Sequence, residues 1–275
     1  MIKLIFCDMD GTLLDEQGNL PPQFKEIADM VLARGAIFVP ASGRQYSALV
    51  YQLPEYEDKF IFIAENGTFV ARNNEEMFST TLPSELVLEA LKRSEDIPDT
   101  YPVLCGKRVA YVDKRWEPYL DEMTKYFVKY ELVDDLTVPA REEEIIKFAV
   151  CDYLHAQAET RVFPALKPLE EGGKLQVVLS SNYWIDVMSV GVNKGVAVKK
   201  IQEALGVRPD ECVAFGDYLN DLEMLEAVEY SFAMENGHHK LRQAARGEAP
   251  SNEKFGVMQI LRKLLTERKI GWPRW

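Results

Sequence analysis

The sequence predicts an α/β protein, a Rossmann-like parallel-sheet core carrying an inserted α+β cap domain. Short apolar runs recur at 2–7, 36–40, 60–64 and 212–215 with no polar alternation, as strands buried on both faces require. Amphipathic stretches lie between them, and strand–helix–strand succession means parallel pairing. From about 82 to 189 the pattern changes to helices and hairpins, so the core is expected to comprise 1–81 and 190–275, with the insert at 82–189.

Each element has its own grounds. Ile2 to Cys7 is the first strand, ending at Asp8. Pro21-Pro22 precede a helix through Phe24, Ile27, Ala28, Val31 and Leu32, which Gly35 can stop. Ala36 to Pro40 is the second strand, followed by the polar turn Ser42-Gly43-Arg44 and an amphipathic stretch to about Leu53. Phe60 to Ala64 is the third. In the insert, the pattern gives helices at 84–94, 115–129 and 157–171, and two short strands about Gly106-Lys107. It adds a strand at 145–152 and a pair at 175–180 and 183–188 joined at Ser181-Asn182. Asn193 to Leu205 is a helix closed by Gly206, and Cys212 to Phe215 is a strand. A helix through Leu222, Leu225 and Ala227, an apolar run at 231–233 and a helix at 257–265 follow. The tail Gly271 to Trp275 carries two tryptophans that suit packing at an edge, or else contact with a neighbouring subunit.

Composition narrows the function. The 275 residues carry 32 basic against 44 acidic side chains, a formal charge of −12, which disfavours a nucleic-acid surface or an anionic membrane. No apolar stretch approaches the roughly 20 residues of a membrane span. Cys7, Cys105, Cys151 and Cys212 lie far apart, with neither disulfide nor zinc spacing. A cytoplasmic setting is expected. His155, His238 and His239 have no nucleophile to pair with, and Cys7 is expected to pack.

Ligands of open parallel sheets bind beyond the carboxyl ends of the strands. Four loops there carry chemistry-bearing groups. Asp8-Met9-Asp10-Gly11-Thr12 brings two carboxylates off a dry strand, a costly arrangement unless a cation compensates them, and Mg²⁺ accepts such oxygen ligands. Ser42-Gly43 offers a hydroxyl and backbone N–H groups at a helix start, suited to phosphate oxygens. Lys194 supplies a point charge. Asp217 and Asp221, with Asn220 between, stand at the start of another helix. Taken singly, each has an ordinary reading: a turn or calcium loop for Asp-x-Asp-Gly, a helix cap for Ser42, a solvated charge for Lys194. Their order along one sheet edge carries the weight.

Asp8-Met9-Asp10-Gly11-Thr12-Leu13-Leu14, Ser42-Gly43-Arg44, Lys194 and Gly216-Asp217-Tyr218-Leu219-Asn220-Asp221 resemble the four motifs of haloacid dehalogenase-like phosphatases. The insert's place and length resemble the C2B cap of the Cof-type subfamily, and Asn66-Gly67 fits that subfamily too. The resemblance implies Asp8 as nucleophile and Asp10 as general acid/base, protonated at the outset. It implies Asp8, the Asp10 backbone carbonyl and Asp217 as Mg²⁺ ligands, with Asp221 mainly behind them. Met9 (by its backbone), Ser42, Gly43, Lys194 and Asn220 would hold the phosphate. One departure is Met234-Glu235-Asn236-Gly237, where the family often shows Met-Gly-Asn-Ala, so Asn236 is left out of the expected set.

The implied activity is Mg²⁺-dependent hydrolysis of a small phosphorylated metabolite, such as a sugar phosphate, through an aspartyl phosphate. Halide removal from a haloacid needs neither Asp10 nor a metal. A phosphomutase shares the motifs, and a receiver-like phosphoryl-binding regulator shares the Asp/Ser/Lys set, though receivers need no insert. A monomer is favoured over a homodimer.

Overall fold

The structure, a computed structural model, describes residues 1–124 and 126–266. The tryptophan tail lies outside the described residues. The strands are β1 (Leu4–Asp8), β2 (Ile37–Ala41), β3 (Ile61–Ala64), β4 (Phe69–Arg72), β5 (Glu75–Ser79), β6 (Tyr101–Gly106) and β7 (Ala110–Asp113). They continue with β8 (Tyr130–Val133), β9 (Ile145–Cys151), β10 (Leu175–Leu179), β11 (Trp184–Ser189), β12 (Cys212–Gly216), β13 (Tyr230–Met234) and β14 (Gly247–Ala249). The described residues form two compact units, one of residues 1–43, 55–75 and 193–266, the other of 44–54 and 76–192. The expected insert limits, 82 and 189, both fall within the second unit.

The first unit is built on a sheet of order β14-β13-β12-β1-β2-β3-β4, with β5 as the edge strand in which the chain passes to the second unit. Pairing is parallel from β14 to β3 and antiparallel between β3 and β4. Every residue of β1, β3 and β12 is buried, which is why these strands read as unbroken apolar runs. The helix Phe24–Ala33 buries Phe24, Ile27, Ala28 and Val31. Phe24 meets Phe38, Tyr56 and Phe60 edge-on, at centroid separations of 5.6, 5.6 and 6.5 Å. Because β2, β1 and β12 run parallel side by side, Ala41, Asp8 and Gly216 end at the same sheet edge.

Around its own core, the second unit orders its sheet β10-β11-β9-β6-β7-β8. Phe148, Val150, Ile185 and Val187 pack there against Val87, Leu91, Val162 and Leu166. All pairs are antiparallel except β7 with β8.

Several expected elements are corrected. The helix expected at 115–129 is a 3-10 segment, Lys114–Tyr119, and a short helix, Leu120–Met123, followed by β8; Pro118 cannot donate inside a longer helix. Pro164 and Pro168 likewise break 157–171 into Ala158–Arg161, Phe163–Leu166 and the 3-10 segment Lys167–Gly172. The β10–β11 connection spans four residues, not two, because Ser181 Oγ accepts the N–H groups of Tyr183 and Trp184, both at 3.2 Å. Strands β5, β8 and β14 and the helices Thr137–Glu142 and His239–Ala244 carry too little apolar patterning to be seen in the sequence, and β4, whose Phe69, Val70 and Ala71 are buried, adds to the expected elements.

Candidate active site

Asp8, the last residue of β1, is 6% exposed, and Lys194, the first residue of the helix Lys194–Leu205, is fully buried. Lys194 Nζ lies 2.5 Å from Asp8 Oδ1 and 2.6 Å from Asp221 Oδ1. Asn193 starts this helix by accepting the Val196 N–H on its side chain at 2.8 Å, which fixes where Lys194 leaves the backbone. The other Asp221 oxygen accepts the Asp217 and Tyr218 N–H groups at 3.0 and 3.2 Å. Both oxygens of Asp221 are therefore engaged in fixing the loop.

Carboxylate oxygens of Asp8, Asp217 and Asp221 all lie within 4.8 Å of one another. Of these three carboxylates, Asp8 and Asp221 pair with the one ammonium, which leaves a formal excess of two negative charges. Burial, then the charge of Asp221, pushes the Asp8 carboxyl well above its ordinary range against the pull of Lys194. Burial and Asp221 also push Asp217 up to about 6, against the Thr12 hydroxyl that donates to its Oδ1 at 3.0 Å. Burial opposes the charge on Lys194, yet Asp221 and Asp8 hold its ammonium above the ordinary lysine range. The set fits Mg²⁺ on two counts: it offers hard oxygen ligands, and it is short of positive charge.

The Asp10 side chain is exposed and stands outside the carboxylate cluster. Its loop is wound on the Met9 carbonyl, which accepts N–H groups from Thr12, Leu13 and Leu14 at 3.4, 3.0 and 2.9 Å. Gly11, with φ 78°, packs so closely on Asp217 that a Cβ there would stand 2.5 Å from Asp217 Oδ2. Ser42 is 2% exposed just beyond β2; its N–H donates to the Ile63 carbonyl at 2.9 Å. Gly43 follows it, and Asn220 Nδ2 reaches Asn66 Oδ1 at 3.1 Å.

Sequence reasoning gave no role to four residues that hold this arrangement. Thr12 fixes Asp217, and Asn66 meets Asn220. Asn236 Nδ2 donates to the Gly11 carbonyl at 2.8 Å, and Asn252 Nδ2 to the Leu14 carbonyl at 2.9 Å. Thr12 and Asn66 sit inside recognised motifs, but Asn236 and Asn252 act on the loop from more than 200 residues away in sequence. Cys7 is buried and donates to the Asp8 carbonyl at 3.2 Å, as a packed thiol does.

A family model described as haloacid dehalogenase-like hydrolase matches residues 5–261. The chain belongs to this family. The 5-amino-6-(5-phospho-D-ribitylamino)uracil phosphatase YbjI of Escherichia coli K12 is 32% identical over 268 residues, 96% of this chain and 96% of that protein. The phosphatase YitU of Bacillus subtilis, named for the same compound, is 27% identical over 277 residues, covering 94% of this chain and 96% of that one. A solved structure described as the subclass IIB sugar phosphatase BT4131 covers 95% of this chain and 98% of its own at a TM-score of 0.79, with 20% identity. That likeness is one of fold. The chain is a hydrolase of the family's phosphatase branch. Among the described residues, no helix is long and apolar enough to cross a membrane.

Proposed function

We propose that the protein is a Mg²⁺-dependent phosphatase that hydrolyses a small phosphate monoester through phosphorylated Asp8. The observation that carries this reading is the Asp8 carboxylate at the end of β1, 2.5 Å from a buried lysine and clustered with Asp217 and Asp221. Asp8, the Asp10 carbonyl and Asp217 would hold the metal. Asp221, whose oxygens already serve Lys194 and two N–H groups, supports them from behind. Bound there, Mg²⁺ supplies the positive charge that lets a carboxylate approach a phosphate dianion. We read 82–189 as the family's inserted cap domain.

An Asp8 oxygen attacks phosphorus in line, and the bond from phosphorus to the departing alkoxide breaks. Asp10 gives its proton to that alkoxide. It then takes a proton from the water that attacks phosphoryl-Asp8, which restores the free carboxylate and releases phosphate. Its exposed side chain suits exchange with both leaving group and water. The Lys194 ammonium, the Ser42 hydroxyl, the Asn220 amide and backbone N–H groups at Met9 and Gly43 hold the phosphoryl oxygens.

Two relatives are named for a substrate whose phosphate sits on an acyclic ribityl chain, and they match nearly the whole chain. We propose a substrate of that class, a primary phosphate ester of a polyol joined to a heterocycle. The test is phosphate release by purified protein with Mg²⁺ from 5-amino-6-(5-phospho-D-ribitylamino)uracil and from a panel of hexose phosphates. Preference for the ribityl ester supports the proposal, and equal or better turnover of hexose phosphates removes the substrate class. Transfer of phosphate to a second hydroxyl without release identifies a mutase, and no reaction with any ester removes the hydrolase reading.

A further inference from the structure

The turn Glu65–Gly67 reaches three of the loops that carry the proposed phosphate-site residues. The Asn66 N–H donates to the Ser42 carbonyl at 2.9 Å. Asn66 Oδ1 accepts from Asn220 Nδ2 at 3.1 Å. Gly67, with φ 97°, passes so close to the start of the helix Lys194–Leu205 that a Cβ there would stand 2.5 Å from the Asn193 carbonyl oxygen.

Holding this turn has a cost. Glu65 and Asn66 both take left-handed backbone, at φ 49° and 55°, a conformation that side chains other than glycine disfavour. Thr68 secures it from the far side, where its N–H and hydroxyl both donate to the Glu65 carbonyl, at 3.2 and 3.1 Å. Asn66 itself is 7% exposed. Its Nδ2 lies beside Gly43, where an added Cβ would stand 3.1 Å from it.

We propose that Asn66 is a positioning residue of the phosphate site: its carboxamide orients Asn220 and sets the spacing between Asn220 and the Ser42-Gly43 loop. The inference rests on the phosphate-holding roles given above to Ser42, Gly43 and Asn220. It also gives Gly43 a reason to be glycine, because the Asn66 amide stands where a methyl group would press.

Asn66→Gly is the informative variant, since glycine accepts left-handed backbone and only the carboxamide is lost. It is compared with Asn220→Ala, Gly43→Ala and the doubles Asn66→Gly/Asn220→Ala and Asn66→Gly/Gly43→Ala. Three readouts are taken in Mg²⁺ buffer: affinity for inorganic phosphate by equilibrium dialysis, kcat/KM for a phosphate monoester, and Tm. Each single change is expected to lower phosphate affinity and kcat/KM by about tenfold, the worth of one ordered hydrogen bond. Each double is expected to fall no further than its worse single, with the Tm of Asn66→Gly near that of the unaltered protein. Undiminished phosphate affinity in Asn66→Gly, or additive losses in both doubles, overturns the proposal. If the unaltered protein binds phosphate but hydrolyses no ester, the hydrolase reading fails while the affinity series still decides the role of Asn66. If it neither binds phosphate nor hydrolyses an ester, both fail together.

Discussion

Lys194 Nζ stands 2.6 Å from Asp221 Oδ1, and neither side chain reaches solvent. The same ammonium serves Asp8, so one buried cation compensates two acids on separate strand ends. The loops after β1 and β12 are thereby tied through the first turn of the helix Lys194–Leu205, and stability and chemistry depend on the same contact.

Lys194→Met should therefore cost both. Leaving Asp8 and Asp221 buried without their cation is expected to lower the stability of the metal-free protein by about 3–5 kcal/mol. Urea denaturation followed by circular dichroism measures this, and an unchanged midpoint would show that the pair contributes nothing. Turnover should be lost even where Mg²⁺ restores the fold.

Asp217 gives stability a pH dependence of defined sign. Its carboxyl is raised to about 6 from its ordinary 3.8, so the folded state holds a proton more tightly than the unfolded chain. Its contribution is fully present below 3.8 and is lost as pH rises through about 6. At pH 7 the metal-free protein carries an ionised, poorly compensated Asp217. Asp217→Asn should then raise its Tm at neutral pH, the gain shrinking toward pH 4, and should abolish stabilisation by Mg²⁺. Equal gains at both pH values would contradict the burial of this group.

Thr12→Val removes the hydroxyl that donates to Asp217 Oδ1 while keeping the side chain's shape. Loss of such a supporting contact typically weakens metal binding by about 10–100-fold. Activity titrated against Mg²⁺ should show a raised half-saturating concentration with a near-normal plateau. An unshifted titration would mean that Thr12 serves only the loop.

Much of the fold was legible in the sequence because the sheet is buried on both faces. β1, β2, β3 and β12 need apolar residues at nearly every position, and Asp8, Ser42 and Asp217 stand out as polar groups where those runs end. The Lys194–Leu205 helix was equally plain, with Asn193 to start it and Gly206 to end it. The second unit was harder to read, because Pro118, Pro164 and Pro168 interrupt stretches whose apolar spacing otherwise suits continuous helices. The edge strand β5 carries exposed glutamates, and its turn from β4 rests on the left-handed conformations of Asn73 and Asn74. At the site, the acids and the lysine could be named from their positions. The residues that hold them could not, because Asn236 and Asn252 act through backbone carbonyls of the Asp8–Leu14 loop, a contact that only the folded chain creates.

The proposed hydrolysis turns on a phosphoryl group carried by Asp8. Purified protein with Mg²⁺ and a turned-over phosphate ester can be quenched in acid during the steady state, digested, and its peptides weighed by mass spectrometry. The peptide containing Asp8 should carry the added mass of one phosphoryl group, and Asp8→Asn should show neither that mass nor turnover while keeping its circular dichroism spectrum. Phosphate release by Asp8→Asn at a rate near that of the unaltered protein would contradict the account.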